Sequence, residues 1–261
     1  MTDRRDLEAV ARAAVLAGGA ELRRRYRAGD ADGEYSSQDV KAAADTAAEE
    51  RMLPVVRRAF PDHTVFSEEA GEVVGSEPYR WIIDPLDGTN NFVAGLPTFA
   101  SSVAVLRDGV PELAAVYQPA TDELYIASRG DGISYQGTRV TIDNGVGIDS
   151  ATVVTIVGRD VPYDPELGKQ AAEIGSALDE GVKRVLDSWA PTVHSGLFAR
   201  GRLQGLVQFH PDEEEQAVTE LFAAEAGAAI QQEGPLYVAA SDGETLSALW
   251  QSVENVHEPN R

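Results

Sequence analysis

Two aspartates three residues apart carry the strongest chemical signal in the chain. Asp84 and Asp87 stand in the stretch Trp81-Ile82-Ile83-Asp84-Pro85-Leu86-Asp87-Gly88-Thr89-Asn90-Asn91-Phe92. The apolar run Trp81 to Ile83 reads as the end of a buried strand. Pro85 fixes its own φ and holds Asp84 extended, and Gly88-Thr89 leads into a helix start. A strand that delivers two carboxylates, followed by backbone N–H groups at a helix N-terminus, can hold cations and a phosphate side by side. Taken alone, the same letters also spell a surface turn with capping aspartates.

Two further stretches shift that balance. Upstream, Phe66-Ser67-Glu68-Glu69-Ala70-Gly71 reads as a second short strand ending in paired carboxylates, with a solvated charged turn as its plain alternative. Downstream, Glu225-Ala226-Gly227-Ala228-Ala229 closes a helix with an acidic start. Together the three resemble the inositol monophosphatase family of magnesium-dependent sugar-phosphate phosphatases, which includes inositol monophosphatases, archaeal fructose-1,6-bisphosphatases and nucleotide-3'-phosphatases. The resemblance runs from about residue 6 to about residue 250 and is weakest between 150 and 224.

Hydrolysis of a phosphate monoester needs charge neutralisation, an activated water and a stabilised leaving oxygen, and a pair of divalent ions ~4 Å apart supplies all three. The resemblance implies Mg2+ as cofactor, about two or three ions. It places the first on Glu68, Asp84 and the backbone carbonyl of Leu86, with Asp84 bridging to the second and Asp87 completing the wall. Glu68 and Thr89 would orient and deprotonate the attacking water, with Asp45 behind Thr89. Gly88 and Thr89, through their N–H groups, and Asp87 would meet the phosphate. The family's remaining ligand is an aspartate at the start of the helix ending in the glycine-rich turn; counting back from Glu225 reaches Glu215. The local cluster is His210-Pro211-Asp212-Glu213-Glu214-Glu215, so Asp212 and Glu214 remain candidates. An acidic helix N-terminus that complements the macrodipole is the simpler reading.

The chain also departs from the family. Glu34 stands near the usual lysine of a mobile loop, and Asp187-Ser188-Trp189 replaces a Gly-Ser/Thr-Ala turn, which puts leaving-group specificity in question more than reaction type. Glu69 reads as structural. Arg159 and Arg184 are candidates for a second phosphate or a sugar, although surface ion pairs suit so acidic a chain better. His63, His194, His210 and His257 show no metal spacing. A haloacid-dehalogenase-type phosphatase would need DxD where this chain has DxxD. The remaining rivals are fructose-1,6-bisphosphatase activity within the family and a non-catalytic homologue acting as a binding or regulatory protein.

The elements that must position these groups follow from periodicity. A helix is expected over 6–27, N-capped by Asp6, and a loop over 28–41. A second helix over 46–60 is capped by Asp45 and kinked at Pro54. Strands are expected at 64–67 and 79–83, and those at 100–106, 111–118, 123–127, 132–135 and 138–142, joined by turns such as Asp108-Gly109, predict an antiparallel sheet. From 150 on, strands at 152–157, 182–186 and 203–209 alternate with helices at 165–178, 190–200 and 213–226. Strands 229–232 and 237–240 and a helix at 244–253 follow. The fold class is α+β with an α/β second part, an α-β-α-β-α layered sandwich as the resemblance also implies. The expected domains are 1–147 and 148–261, with the site between them.

Composition bounds the partners. With 261 residues a full core is available. There is no cysteine, hence no disulfide and no thiolate zinc site. The net charge is −21, with lysine only at 41, 169 and 183 beside nineteen arginines. Nucleic-acid binding draws its affinity from basic side chains, so such a partner is not expected. No apolar run approaches the roughly 20 residues of a membrane span, and a cytoplasmic protein acting on a small-molecule phosphate ester, as a homodimer, is expected. Self-repulsion at this charge is screened by salt, which favours a protein from a salt-accumulating halophile over an ordinary acidic protein of a high-GC genome.

Overall fold

The computed structural model describes residues 2–257 apart from 31–32, 36–39, 69, 143–145 and 188; residues 34, 35, 40, 41, 255 and 257 are described by backbone alone. The expectations for Glu69, Ser188 and the side chains of Glu34 and His257 therefore lie outside the described residues. The helices are α1 (Arg4–Ala28), α2 (Ala43–Ala59), α3 (Thr89–Val93), α4 (Pro165–Gly181), α5 (Pro191–Ala199), α6 (Glu213–Ala226) and α7 (Gly243–His257). The strands are β1 (Gly33–Tyr35), β2 (Val40–Ala42), β3 (Thr64–Ser67), β4 (Gly71–Val73), β5 (Tyr79–Asp87), β6 (Ala100–Arg107), β7 (Val110–Gln118) and β8 (Glu123–Ser128). They continue with β9 (Gly132–Tyr135), β10 (Thr138–Val140), β11 (Thr152–Val157), β12 (Arg184–Asp187), β13 (Gly205–Phe209), β14 (Ala229–Glu233) and β15 (Leu236–Ala240).

An eight-stranded sheet has the order β10-β9-β8-β7-β6-β5-β3-β4, and a five-stranded sheet the order β12-β11-β13-β15-β14. The large sheet is antiparallel, as expected, except that β3 runs parallel to β5. In the small sheet β11, β12 and β13 are mutually parallel and β15 reverses the direction.

Strands buried on both faces read as continuous apolar runs, with alternate residues serving different layers. Trp81 and Ile83 of β5 face Leu7, Val15, Met52 and Val56 of α1 and α2. Ile82 faces the other way, into a cluster with Val193 and Phe198 of α5, Phe222 of α6, and Val154 and Leu206 of the small sheet. The far face of the small sheet packs Val153, Val207 and Val238 on Ile174 of α4 and Trp250 of α7. The layers are thus α1/α2, large sheet, α5/α6, small sheet, α4/α7. Each large buried side chain contributes on the order of 1.5–3 kcal/mol.

Several local expectations are corrected. Asp3, not Asp6, caps α1: its side chain accepts from the Arg5 N–H, and Asp6 sits in the first turn. Asp45 is the third residue of α2 and not its cap; its Oδ2 accepts the Ala42 N–H at 3.0 Å. Pro54 lies inside α2, which does not restart there. The stretch expected as a loop over 28–41 carries the β1-β2 hairpin, with Gly33 opposite Ala42.

Candidate active site

The large sheet brings its carboxylates together at one strand end. Because β3 is parallel to β5 with Ser67 opposite Ile83, Glu68 emerges beside Asp84. Strand β5 does not stop at Ile83 but runs on to Asp87. In a regular strand, residues three apart point to opposite faces. Here Asp84 pairs with Ser102 and Asp87 with Ala100, so three steps on β5 match two on β6, a bulge of one residue. Pro85, which has no N–H to give the ladder, falls within it. The bulge turns Asp84 and Asp87 to the same face, the Ile82 side toward α5 and α6.

Each aspartate has a backbone anchor. Asp84 Oδ1 accepts the Leu86 N–H at 3.0 Å. Asp87 Oδ2 accepts the Thr192 N–H at 3.0 Å and also the Thr192 hydroxyl. Thr192 is the second residue of α5, whose own N-cap position holds Ala190. Asp87 thus serves from another strand as an acceptor for the start of α5. Gly88 follows at φ 87°, and a Cβ there would lie 2.9 Å from Ala190 Cβ and 3.0 Å from the Thr98 carbonyl, so only glycine fits. Thr89 Oγ1 lies 3.2 Å from Asp45 Oδ1 and 3.0 Å from the Leu86 carbonyl, so its one hydroxyl hydrogen can go to either.

The small sheet supplies the opposite wall. Val157 of β11 lies opposite Phe209 of β13, so the loops after these parallel strands emerge together. Gly158 is pressed against the His210 carbonyl too closely for a Cβ. The first loop carries Arg159, and the second leads through Asp212 into the first turn of α6 with Glu213 to Glu215. The Arg159 N–H donates to Asp212 Oδ2 at 3.2 Å, its Nη1 lies 2.6 Å from Glu68 Oε1, and its Nη2 lies 3.4 Å from Glu214 Oε1. A cleft of about 560 Å³ lies between the walls, lined by Glu68, Asp84, Asp87, Thr89, Glu214 and Glu215 among others. Trp189 stands at it, 58% exposed.

The profile of the inositol monophosphatase family matches residues 3–230. The chain belongs to the inositol monophosphatase family. A relative called Nus factor SuhB from Pasteurella multocida (strain Pm70) is 42% identical over 110 residues, 42% of this chain and 41% of that protein. The chain therefore matches less than half the length of that relative. A fructose-1,6-bisphosphatase/inositol-1-monophosphatase from Aquifex aeolicus (strain VF5) is 33% identical over 207 residues, 77% of this chain and 75% of that protein. The crystal structure of extragenic suppressor protein suhB from Bartonella henselae superposes with a TM-score of 0.85 at 23% identity, covering 95% of this chain and 98% of that one. That likeness concerns the fold.

Within this inositol monophosphatase-family cleft the carboxylates repel one another. Burial pushes Asp84 well above the usual carboxylate range, and the neighbouring Glu68 and Asp87 push it further. Burial raises Asp87 to about 7, against the opposing pull of the Thr192 hydrogen bonds. Glu215 is raised well above its ordinary value by burial, then by Asp212 and Asp87. Glu214 is raised too, chiefly by burial. Glu215 Oε2 is sealed from solvent with no hydrogen-bond partner. A buried carboxylate oxygen without a donor, facing other carboxylates, suits a hard divalent cation, so the residues fit Mg2+ in kind. As they stand, no three acidic or histidine side chains among the described residues are gathered closely enough to hold a metal ion.

The cleft thus brings together Glu68, Asp84, Leu86, Asp87, Gly88, Thr89 and Glu215, with Asp45 reached through Thr89. Asp212 and Glu214 share it but face Arg159. Two residues escaped sequence reading, Glu49 and Thr192. Glu49 of α2 is buried and accepts the Ser67 hydroxyl and, at 2.9 Å, the Ala70 N–H, bracing the turn that carries Glu68. Thr192 braces Asp87. Arg159, better suited by sequence to a surface ion pair, lies in the cleft; Arg184 is exposed at the start of β12. His63 packs between Phe60 and Tyr79 and accepts from Trp81 Nε1 at 2.9 Å, a structural use. Among the described residues no helix is long and apolar enough to cross a membrane.

Proposed function

We propose that this chain is a magnesium-dependent phosphatase that hydrolyses the phosphate monoester of a small sugar or inositol. The observation that carries the reading is the bulge at Pro85, which turns Asp84 and Asp87 to one face opposite the unpartnered Glu215 Oε2. Glu68, Asp84, the Leu86 carbonyl, Asp87 and Glu215 would hold the cations. Bound Mg2+ would supply charge neutralisation and an activated water. The residues do the rest: Thr89, with its hydroxyl hydrogen donated to Asp45, turns its oxygen toward the cleft as an acceptor for the attacking water. Glu68 stands as the second acceptor, and the N–H groups of Gly88 and Thr89 receive the phosphate oxygens.

A second phosphate finds little support. Among the described residues lining the cleft, Arg159 is the only lysine or arginine, and it is engaged by Glu68, Asp212 and Glu214. This favours a monophosphate over fructose-1,6-bisphosphate, although the Aquifex aeolicus relative bears both names. The test is phosphate release with Mg2+, in high salt, from inositol-1-phosphate, fructose-1,6-bisphosphate, adenosine 3',5'-bisphosphate and p-nitrophenyl phosphate. Release led by inositol-1-phosphate is expected. No release from any substrate by a folded protein sinks the reading. It would favour a non-catalytic binding role, which the name Nus factor of several relatives keeps open. Homodimerisation and salt adaptation belong to the same proposal and are checked by sedimentation and by melts from low to molar potassium chloride.

A further inference from the structure

Arg159 is paired with Glu68, one of the carboxylates proposed to hold a cation. Its guanidinium reaches Glu68 of the large sheet at 2.6 Å and, on the other side, Glu214 at 3.4 Å and Asp212 at 3.8 Å. It spans the cleft between the two sheets. An arginine cannot shed its charge, so it must move if another cation claims the same oxygens. Its loop is poorly able to move: Gly158 is pressed on the His210 carbonyl, and the Arg159 N–H is bonded to Asp212. The side chain, 41% exposed, can turn about its own bonds while the loop stays anchored.

We propose that Arg159 is an internal counter-ion that occupies Glu68 until a divalent cation displaces it, and so sets the cation affinity of the site. The inference rests on the magnesium reading of the cleft. It makes Arg159 a positioning residue: it holds Glu68 turned into the cleft and neutralises Asp212 and Glu214, which leaves Glu215 as the carboxylate of α6 available to a cation. A half-exposed ion pair is weak enough to be displaced, yet its loss still costs the incoming ion measurable affinity.

The test is calorimetric titration of the full-length protein with Mg2+ and, separately, Mn2+, without substrate, on the wild type, Arg159→Gln and Arg184→Gln. Arg184→Gln removes the same charge at the far end of β12 and controls for net charge. Arg159→Gln is expected to bind either ion about fivefold more tightly than wild type, and Arg184→Gln as wild type does. Equal or weaker binding by Arg159→Gln, or equal tightening in Arg184→Gln, overturns the proposal while leaving the magnesium reading intact. No cation binding by folded wild type and folded Arg159→Gln overturns both.

Discussion

Asp84 and Asp87 sit on a strand whose surroundings supply them with donors, the Leu86 N–H for one and the start of α5 for the other. Glu214 and Glu215 sit on the first turn of α6, where Glu215 keeps a sealed oxygen with no hydrogen-bond partner among the described residues. Both groups are carboxylates pushed toward neutrality by burial, yet one is fixed by backbone register and the other only by where its helix begins. A backbone-anchored carboxylate keeps its direction whether or not a cation is present. Glu214 already has Arg159 beside it, whereas Glu215 Oε2 is left for a partner that arrives. The large sheet therefore supplies geometry to the cleft, and α6 supplies unsatisfied charge.

Loss of the strand-held carboxylates should have the largest effects. Asp84→Asn should lower Mg2+-dependent phosphate release about a thousandfold, roughly 4 kcal/mol of barrier. The metal-free protein should melt no lower than wild type, since the substitution removes a buried charge. Steady-state rates and melts on one preparation check both halves.

On the α6 side, Glu215→Gln should raise the Mg2+ concentration for half-maximal rate about tenfold, while Asp212→Asn leaves it within about twofold. If neither changes it, the last ligand lies elsewhere. Thr192→Val sharpens the comparison by loosening the anchor of Asp87. The lost hydroxyl hydrogen bond favoured the ionised form. Its removal raises Asp87 of the metal-free protein further above about 7, and because a cation binds the ionised form, the acidic limb of the pH dependence of Mg2+ binding, followed by titration, should move up. A limb that moves down or stays put contradicts the role of that hydrogen bond.

The smallest effect lies outside the cleft. His63 is held neutral, its pKa lowered by burial. The unfolded chain takes up a proton near the ordinary pKa of about 6.5. The stability that His63 brings is thus complete above that pH and declines as pH falls below it. Urea melts between pH 7 and 5 should show a decline of no more than about 1.4 kcal/mol per unit, absent in His63→Phe, with phosphate release at neutral pH unaltered.

What was legible in the sequence follows the same division. The layers could be read because strands buried on both faces spell apolar runs and amphipathic helices keep their period. Asp84, Asp87 and Gly88 could be read because they stand in one short motif, although the bulge against β6 that turns both aspartates to one face is not written in their spacing. The parallel pairing of β3 with β5, which sets Glu68 beside Asp84, could not, since register is a tertiary property. Thr192 and Glu49 were illegible for the same reason: each acts on a residue distant in sequence, and a lone threonine or glutamate carries no local mark of its partner. Asp6 and Asp45 were misplaced by a few residues because any acidic residue near a helix start passes for its cap. Glu215 was reached by counting, but only its sealed oxygen separates it from Asp212 and Glu214.

The most direct test of the account combines metal removal with loss of Asp87. Wild type and Asp87→Asn are stripped with a chelator, returned to saturating Mg2+, and assayed for phosphate release from inositol-1-phosphate. Stripped wild type should be inactive and regain its full rate with Mg2+, while Asp87→Asn should stay folded and regain none. Release by stripped wild type, or full recovery by Asp87→Asn, would contradict a reaction that depends on cations held by these carboxylates.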